Sequence, residues 1–395
     1  MPSTINASNS GFGGIVSTGD SSGELQLQAA GTTVATITST GMAVTGALTT
    51  NGLATSPFTM KNRIINGDMV ISQRNGTSSV TPTNGSYNLD RWVFYVSQSS
   101  RFTTQQNAGS VTPPAGFTNY LGITSSSAYS VISSDFFTVD QIIEGFNTAD
   151  LAWGTANART VTLSFWVRSS LTGTFAGGVY NSGASRSYVF TYTISAANTW
   201  EQKSITIPGD TTGTWLTNNG HGIGVRFSLG AGSTYQETAN TWIAGNDFAT
   251  SSSVNLVGTN GATWYITGVQ LERGSTATAF EWLPYGMELM LCQRYFQTIS
   301  NGASGSCQSS TACIFGFQFP VVMRTAPTGA VTGAIRVSDI STAAYTQSSG
   351  SIVGNLITAD GGSWQLPNYT GMTTNRPIIL AQFSGSGTIQ LSAEL

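Results

Sequence analysis

The stretch Thr160-Val161-Thr162-Leu163-Ser164-Phe165-Trp166-Val167-Arg168 decides the fold class. Val161, Leu163, Phe165 and Val167 alternate with Thr162, Ser164, Trp166 and Arg168, and a period of two puts successive side chains on opposite faces of an extended chain. The stretch reads as a half-buried strand. Similar β-branched and aromatic runs, separated by Gly, Asn and Pro, recur at Trp92 to Val96, Ser187 to Ile194, Glu201 to Ile207, Ile223 to Leu229 and Ala262 to Leu271. Helical periodicity is almost absent, and no interleaved segment has the length a parallel sheet needs. An all-β protein follows, with an antiparallel jelly-roll sandwich over residues 57–284.

Both flanks differ in texture. Residues 1–56 hold no aromatic beyond Phe12 and punctuate short runs with glycine: Glu24 to Ala29, Gly31, Thr32 to Thr38, Gly41, Met42 to Thr45, Gly46. Each run is too thin to bury a core alone, so the segment is expected to be a trimeric β shaft in which three chains supply one another's missing faces. Residues 285–395 open with a helix expected over Met287 to Phe296, with Met287, Met290, Leu291 and Tyr295 sharing one face. Strands are expected at Ala312 to Phe319, Ala334 to Val337, Ser351 to Ile357, Pro377 to Phe383 and Thr388 to Leu391, enough for a small C-terminal β-sandwich.

Composition narrows the function classes. The 395 residues exceed one ordinary domain, and 39% hydrophobic content supplies real cores. Only 8% are charged, about a third of the usual share, so the surface is built from hydroxyls and amides. A net charge of −3 with Lys61 and Lys203 as the only lysines leaves no footprint for nucleic acid. No apolar run approaches a bilayer span, and Met1-Pro2-Ser3-Thr4-Ile5-Asn6 has no basic or apolar leader region, so membrane insertion is not expected and synthesis in the cytoplasm is. Cys292, Cys307 and Cys313 are too few for a disulfide framework. Cys307 and Cys313 are close enough in sequence to close a small loop, but both are read as free thiols.

Asn62-Arg63-Ile64-Ile65-Asn66-Gly67-Asp68-Met69 with Ser72-Gln73-Arg74 and Leu89-Asp90-Arg91-Trp92 resembles the opening of a jelly-roll domain of bacteriophage tail-fibre and virion appendage proteins. Ser164 to Arg168, Asn198 to Glu201, Ile205 to Gly209, Gly268 to Gly274 and Ala277 to Glu281 resemble its later strands in order. Leu291 to Phe296 resembles the bridge before a smaller C-terminal domain, and Leu25 to Leu48 the shaft repeat. The resemblance implies a carbohydrate-binding-module-like jelly roll, a homotrimer, attachment to other virion proteins through the N-terminal segment, and a place on the virion after assembly in the host cytoplasm.

Catalysis finds little support in the residues. His221, the only histidine, sits in Asn219-Gly220-His221-Gly222, which reads as a surface turn with no nucleophile elbow. No Cys/His spacing suits a metal, and the glycine runs lack a phosphate-cradle ending, so neither metal nor cofactor is expected. Asp135 with Asp140, or Glu237 with Asp247, are carboxylate pairs that would allow a glycan depolymerase. A non-catalytic adhesin for host-surface glycan is the reading preferred, with a capsid decoration or head-fibre protein as the alternative. Sugars offer flat C–H faces edged with hydroxyls, so a site needs an aromatic ring beside amides. Trp215, Asn218, Asn219, Tyr235 and Trp242 have that mixture in apparent loops, whereas Trp92, Trp166, Trp200 and Trp264 lie in or beside strands and read as core or sheet cover. Asp90 and Arg91 read as a structural ion pair or strand anchor.

Overall fold

Val161, Leu163, Phe165 and Val167 are each fully buried, while Trp166 and Arg168 are half-exposed: the alternation in sequence is the two faces of one strand. Thr162 and Ser164 share the outer face yet are buried too, and Thr162 Oγ1 donates to Gly274 O at 2.9 Å. The computed structural model describes residues 3–7, 15–18, 22–29, 31–39, 41–44, 60–299, 303–339, 344–346, 352–380 and 387–395. It divides into two compact units, Met1–Thr59 and Met60–Leu395. The boundary expected at residues 56 and 57 lies outside the described residues.

In the first unit, β1 (Ser3–Ala7), β2 (Ile15–Thr18), β3 (Leu25–Ala29), β4 (Thr32–Thr38) and β5 (Gly41–Val44) form one sheet in the order β2-β1-β3-β4-β5. Neighbours are antiparallel except β1 and β3. Among the described side chains of residues 22–44, Ala35 alone is buried, so strands β3 to β5 bury little of their own surface. Phe12 and the part of the expected shaft after Val44 lie outside the described residues.

The second unit opens with a sandwich of twelve strands in two antiparallel sheets. The strands are β6 (Ser86–Leu89), β7 (Trp92–Val96), β8 (Phe102–Gln106), β9 (Leu121–Ser125), β10 (Phe136–Glu144), β11 (Val161–Ser169), β12 (Gly173–Tyr180), β13 (Ser187–Ile194), β14 (Glu201–Ile207), β15 (His221–Ala231), β16 (Trp242–Ile243) and β17 (Thr263–Arg273). A seven-stranded sheet runs β16-β13-β12-β15-β10-β7-β6 and a five-stranded sheet β14-β11-β17-β9-β8. The chain passes repeatedly from one sheet to the other, as a jelly-roll-like sandwich does. Phe94, Phe137, Phe165, Phe190, Phe227 and Trp264 meet between the sheets. Trp92 and Trp264 are core residues, whereas Trp166 and Trp200 cover the outside, half-exposed.

Helix α1 (Tyr285–Gln293) leads into β18 (Phe296–Ile299), β19 (Ser304–Cys307), β20 (Cys313–Gln318), β21 (Thr328–Thr332), β22 (Arg336–Asp339), β23 (Ala344–Thr346), β24 (Val353–Ile357), β25 (Gly361–Leu366), β26 (Pro377–Leu380) and β27 (Thr388–Ser392). These form a three-stranded sheet, β18-β27-β21, and a seven-stranded sheet, β23-β22-β26-β19-β20-β25-β24, around a second core. Ser351 and residues 381–383, expected as strand, lie outside the described residues. The helix corrects the expected apolar face. Met287 and Met290 are 53% and 55% exposed, while Glu288 and Cys292 face inward, because Glu288 Oε1 accepts the buried backbone N–H of Asn66.

Ionic contacts join the sandwich to the C-terminal part. Asp90 and Arg91 do not pair with each other: Asp90 accepts Gln73 N and Nε2 at 2.7 and 2.6 Å, and the Arg91 guanidinium pairs with Glu394 and lies over the Tyr295 ring. Glu144 accepts Arg294 Nη2 at 2.6 Å and the Tyr295 hydroxyl at 2.7 Å. Arg324 donates to the carbonyls of Ala393, Glu394 and Asn219.

Burial pushes the Glu288 carboxyl up to about 7, with the Asn66 N–H opposing the shift and Asp68 and Glu281 adding to it. The folded chain therefore keeps a proton that the unfolded chain releases from the ordinary carboxyl value of 4.5 upward, so this contribution to stability is full below that value and is lost as pH rises through about 7. Denaturation midpoints compared at about pH 5 and about pH 8 should fall in the wild type by more than in Glu288→Gln, which keeps the acceptor oxygen without the titration.

Candidate functional site

Three tryptophans far apart in sequence meet at one edge of the seven-stranded sheet. Trp242 lies on the edge strand β16, where it pairs with Tyr188 of β13. Trp215 comes from the irregular connection between β14 and β15, and Trp153 follows the 3-10 turn Ala149–Leu151. Ala152 and Gly154 both have left-handed backbone (φ 54 and 83), which turns the chain sharply on either side of Trp153; at Gly154 a Cβ would press on Gly213 O at 2.8 Å. The rings pack edge to face: 4.7 Å at 85° for Trp153 and Trp215, 5.3 Å at 80° for Trp153 and Trp242, and 5.5 Å at 81° for Trp215 and Trp242. Trp153 is buried, and Trp215 and Trp242 are half-buried over it.

Each indole N–H is already engaged: Trp153 Nε1 donates to Arg159 O (2.7 Å), Trp215 Nε1 to Thr212 O (3.1 Å) and Trp242 Nε1 to Pro208 O (2.8 Å). What remains to a ligand is ring surface. Beside it, Arg186 makes a bidentate pair with buried Asp210, Nε to Oδ2 at 2.8 Å and Nη2 to Oδ1 at 2.9 Å, with its guanidinium 6.0 Å from the Trp242 ring centre. Burial works to raise the Asp210 carboxyl, but hydrogen bonds from Arg186 and Thr212 outweigh it and hold the pKa below the ordinary range. The clamp fixes the loop that presents Trp215.

Of the other residues expected at a site, Asn218 is exposed; its Oδ1 accepts Gly220 N at 2.9 Å. Asn219 donates from Nδ2 to Arg324 O at 3.3 Å and so helps hold the C-terminal part. Tyr235 is not brought to the tryptophans. It stacks on Phe248 (5.4 Å, 28°) and meets Phe136 edge-on (5.6 Å, 79°), in a cluster with Ala176, Ala231 and Ala249.

That second cluster lies on the outer face of the seven-stranded sheet. Asp140 Oδ2 accepts Arg226 Nε and the Tyr180 hydroxyl, each at 2.7 Å, and Arg226 Nη1 donates to Asn246 Oδ1 at 2.8 Å. Gly178 has no side chain to hold the covering segment off, a Cβ there lying 3.1 Å from Phe248 Cβ. His221 is not the surface turn expected. It is the first residue of β15 and packs edge-on against Tyr180 at 5.2 Å, and burial, with Arg226 adding, pushes it down to about 4. The two carboxylate pairs also differ from each other. Asp135 is buried and accepts Ser97 Oγ, Tyr129 Oη and Ile132 N, while Asp140 is bound up with Arg226 and Tyr180. Burial and then the Glu237 charge raise the Asp247 pKa. Among the described residues no group of three or more His, Cys, Asp or Glu is placed to hold a metal ion.

Trp153, Arg186 and Asp210 escaped the sequence reading. Their pairing is long-range, and no alternation marks the segments around Trp153 and Asp210; the Trp153-Gly154 and Gly209-Asp210 steps are the only local signals.

No protein-family model matches the chain, and no curated protein matches it. Among solved structures it is similar to the enzymatically active domain of tailspike protein 4 of bacteriophage CBA120, at 12% identity and a TM-score of 0.31, over 54% of this chain and 21% of that one. It is also similar to the family 11 carbohydrate-binding module of Clostridium thermocellum in complex with a β-1,3-1,4-mixed-linked tetrasaccharide, at 10% identity and 0.26, over 52% and 100%. A third is the Clostridium thermocellum endo-1,4-β-D-xylanase 10B modules complexed with xylohexaose, at 15% identity and 0.25, over 51% and 29%. These are distant likenesses. Strand pairing alone defines the class, an all-β protein of several sandwich-like sheets.

Trp153→Ala should destabilise by about 3–5 kcal/mol as a buried large-to-small change, and Trp215→Ala by about 1–2 kcal/mol, because its ring is only partly buried. Urea denaturation of the two variants checks the difference.

Proposed function

We propose that the chain is a non-catalytic glycan-binding protein of a bacteriophage particle, a trimeric fibre or appendage that presents its jelly-roll-like sandwich to a host-surface glycan. The observation that carries the reading is the half-exposed Trp215 and Trp242 pair braced on Trp153, with all three indole N–H groups satisfied inside the protein. Such a ledge offers apolar ring surface, with the exposed Asn218 three residues on from Trp215 in the same connection, which is the mixture a sugar's C–H face and hydroxyls require. The ordered motifs from Asn62 to Glu281 that resemble virion appendage proteins favour the particle. Assembly is favoured by the thin N-terminal sheet, and by Trp282, Tyr285, Met287 and Met290, all more than half exposed on or just before α1. Residues 1–56 would then attach to other virion proteins. No helix among the described residues is long and apolar enough to cross a membrane.

On an array of neutral and acidic bacterial surface oligosaccharides, the wild type should bind, and Trp215→Ala and Trp242→Ala should each bind about tenfold more weakly, a loss near 1.4 kcal/mol. Binding should persist at raised salt because stacking is little screened. Equal binding by folded variants would remove the ledge as the site and favour a capsid decoration role. Release of reducing ends, abolished by Asp247→Asn, would replace the reading with a depolymerase. Light scattering on the full chain should give three times the chain mass, and a monomer would contradict the trimer.

A further inference from the structure

Cys307 of β19 stands directly opposite Cys313 of β20. Gln308 N donates to Ala312 O at 2.9 Å, which makes 308 and 312 a hydrogen-bonded pair, so the alternation of an antiparallel ladder makes 307 and 313 a non-hydrogen-bonded one. The other edge agrees. Cys307 N donates to Arg376 O at 2.9 Å and Cys307 O accepts Asn375 N at 2.8 Å, so both backbone groups of Cys307 turn away from β20. Directly opposed residues share a sheet face, and both side chains lie in the C-terminal core, 1% and 0% exposed. In a non-hydrogen-bonded pair the Cα atoms are about 4.5 Å apart and the side chains closest, within the ~4.4–6.8 Å that a disulfide spans.

We propose that Cys307 and Cys313, both thiols in this structure, form an intrachain disulfide that closes after folding, when the protein meets an oxidising environment. The two Sγ–H bonds break and one Sγ–Sγ bond forms. Two electrons and two protons pass to dissolved oxygen or, through a mixed disulfide, to a low-molecular-weight disulfide that leaves as two thiols. The bond would tie β19 to β20 across the loop 308–312, in the middle of the seven-stranded C-terminal sheet. Burial pushes the Cys313 thiol up to about 12 and raises Cys307 too, so little thiolate is present at neutral pH and closure is slow. Cys292 lies in another cluster with Ile65, Ile71 and Tyr295 and serves as the internal reference.

The full chain is incubated for days with oxidised glutathione, denatured, alkylated with iodoacetamide and digested with trypsin, which leaves Cys307 and Cys313 together in peptide 295–324. That peptide should carry no alkyl group and be lighter by about two daltons, the hydrogens lost in a two-electron oxidation, while Cys292 is alkylated. In Cys307→Ser the Cys313 thiol should be alkylated again. Two alkyl groups on the wild-type peptide, glutathione adducts in place of the bond, or linkage between chains would overturn the proposal, and the wild-type map decides it even if the variant does not fold.

Discussion

Five buried carboxylates, each taking at least one arginine, hold the second unit in one arrangement. Glu394, Asp210, Asp140, Glu144 and Asp339 are nearly or wholly inaccessible, and each pairs with an arginine: Arg91 and Arg74 with Glu394, Arg186 with Asp210, Arg226 with Asp140, Arg294 with Glu144, Arg376 with Asp339. A chain with 8% charged residues thus places much of its charge inside. Buried ion pairs add little net stability over an apolar replacement, but breaking one costs about 3–5 kcal/mol. They therefore fix geometry. Glu144 and Glu394 dock the C-terminal part on the sandwich, and Asp210 sets the loop that carries Trp215.

The surface that results has few charges left to recognise anything by attraction at a distance. In the proposed role, recognition falls to shape, amide hydrogen bonds and aromatic rings, and the tryptophan ledge is where half-exposed rings are packed on a buried one. The second cluster works differently. Asp140, Arg226 and Tyr180 are sealed by the segment carrying Asn246 and Phe248, so that polar group closes a sheet face rather than presenting it.

Strand alternation made much of the sandwich legible where one row of side chains is apolar, Val161 to Val167 being the clearest case, and it hid β10, which is buried along nearly its whole length. Helix α1 was legible as a helix but not in its orientation, since the buried N–H of Asn66 drew Glu288 inward and left two methionines outside. At the site, Trp215 and Trp242 were legible as loop aromatics, and the sheet edge brought them together. Tyr235 belonged elsewhere, because its loop folds onto Phe136 and Phe248 on the outer face of the sheet. Trp153 and the Arg186–Asp210 clamp carried no periodic signal. Nor did the weak strands β19, β21 and β25, whose glycine and serine content hides their alternation.

The proposed role puts sugar against ring surface at Trp215 and Trp242. The chain holds nine tryptophans, and fluorine NMR of the 5-fluorotryptophan-labelled protein, assigned by single substitutions, reports on each. Addition of a mixture of neutral and acidic bacterial surface oligosaccharides should shift the Trp215 and Trp242 resonances and leave those of Trp92 and Trp264 in place. Unmoved Trp215 and Trp242 signals, with shifts confined to other tryptophans or absent altogether, would contradict the account.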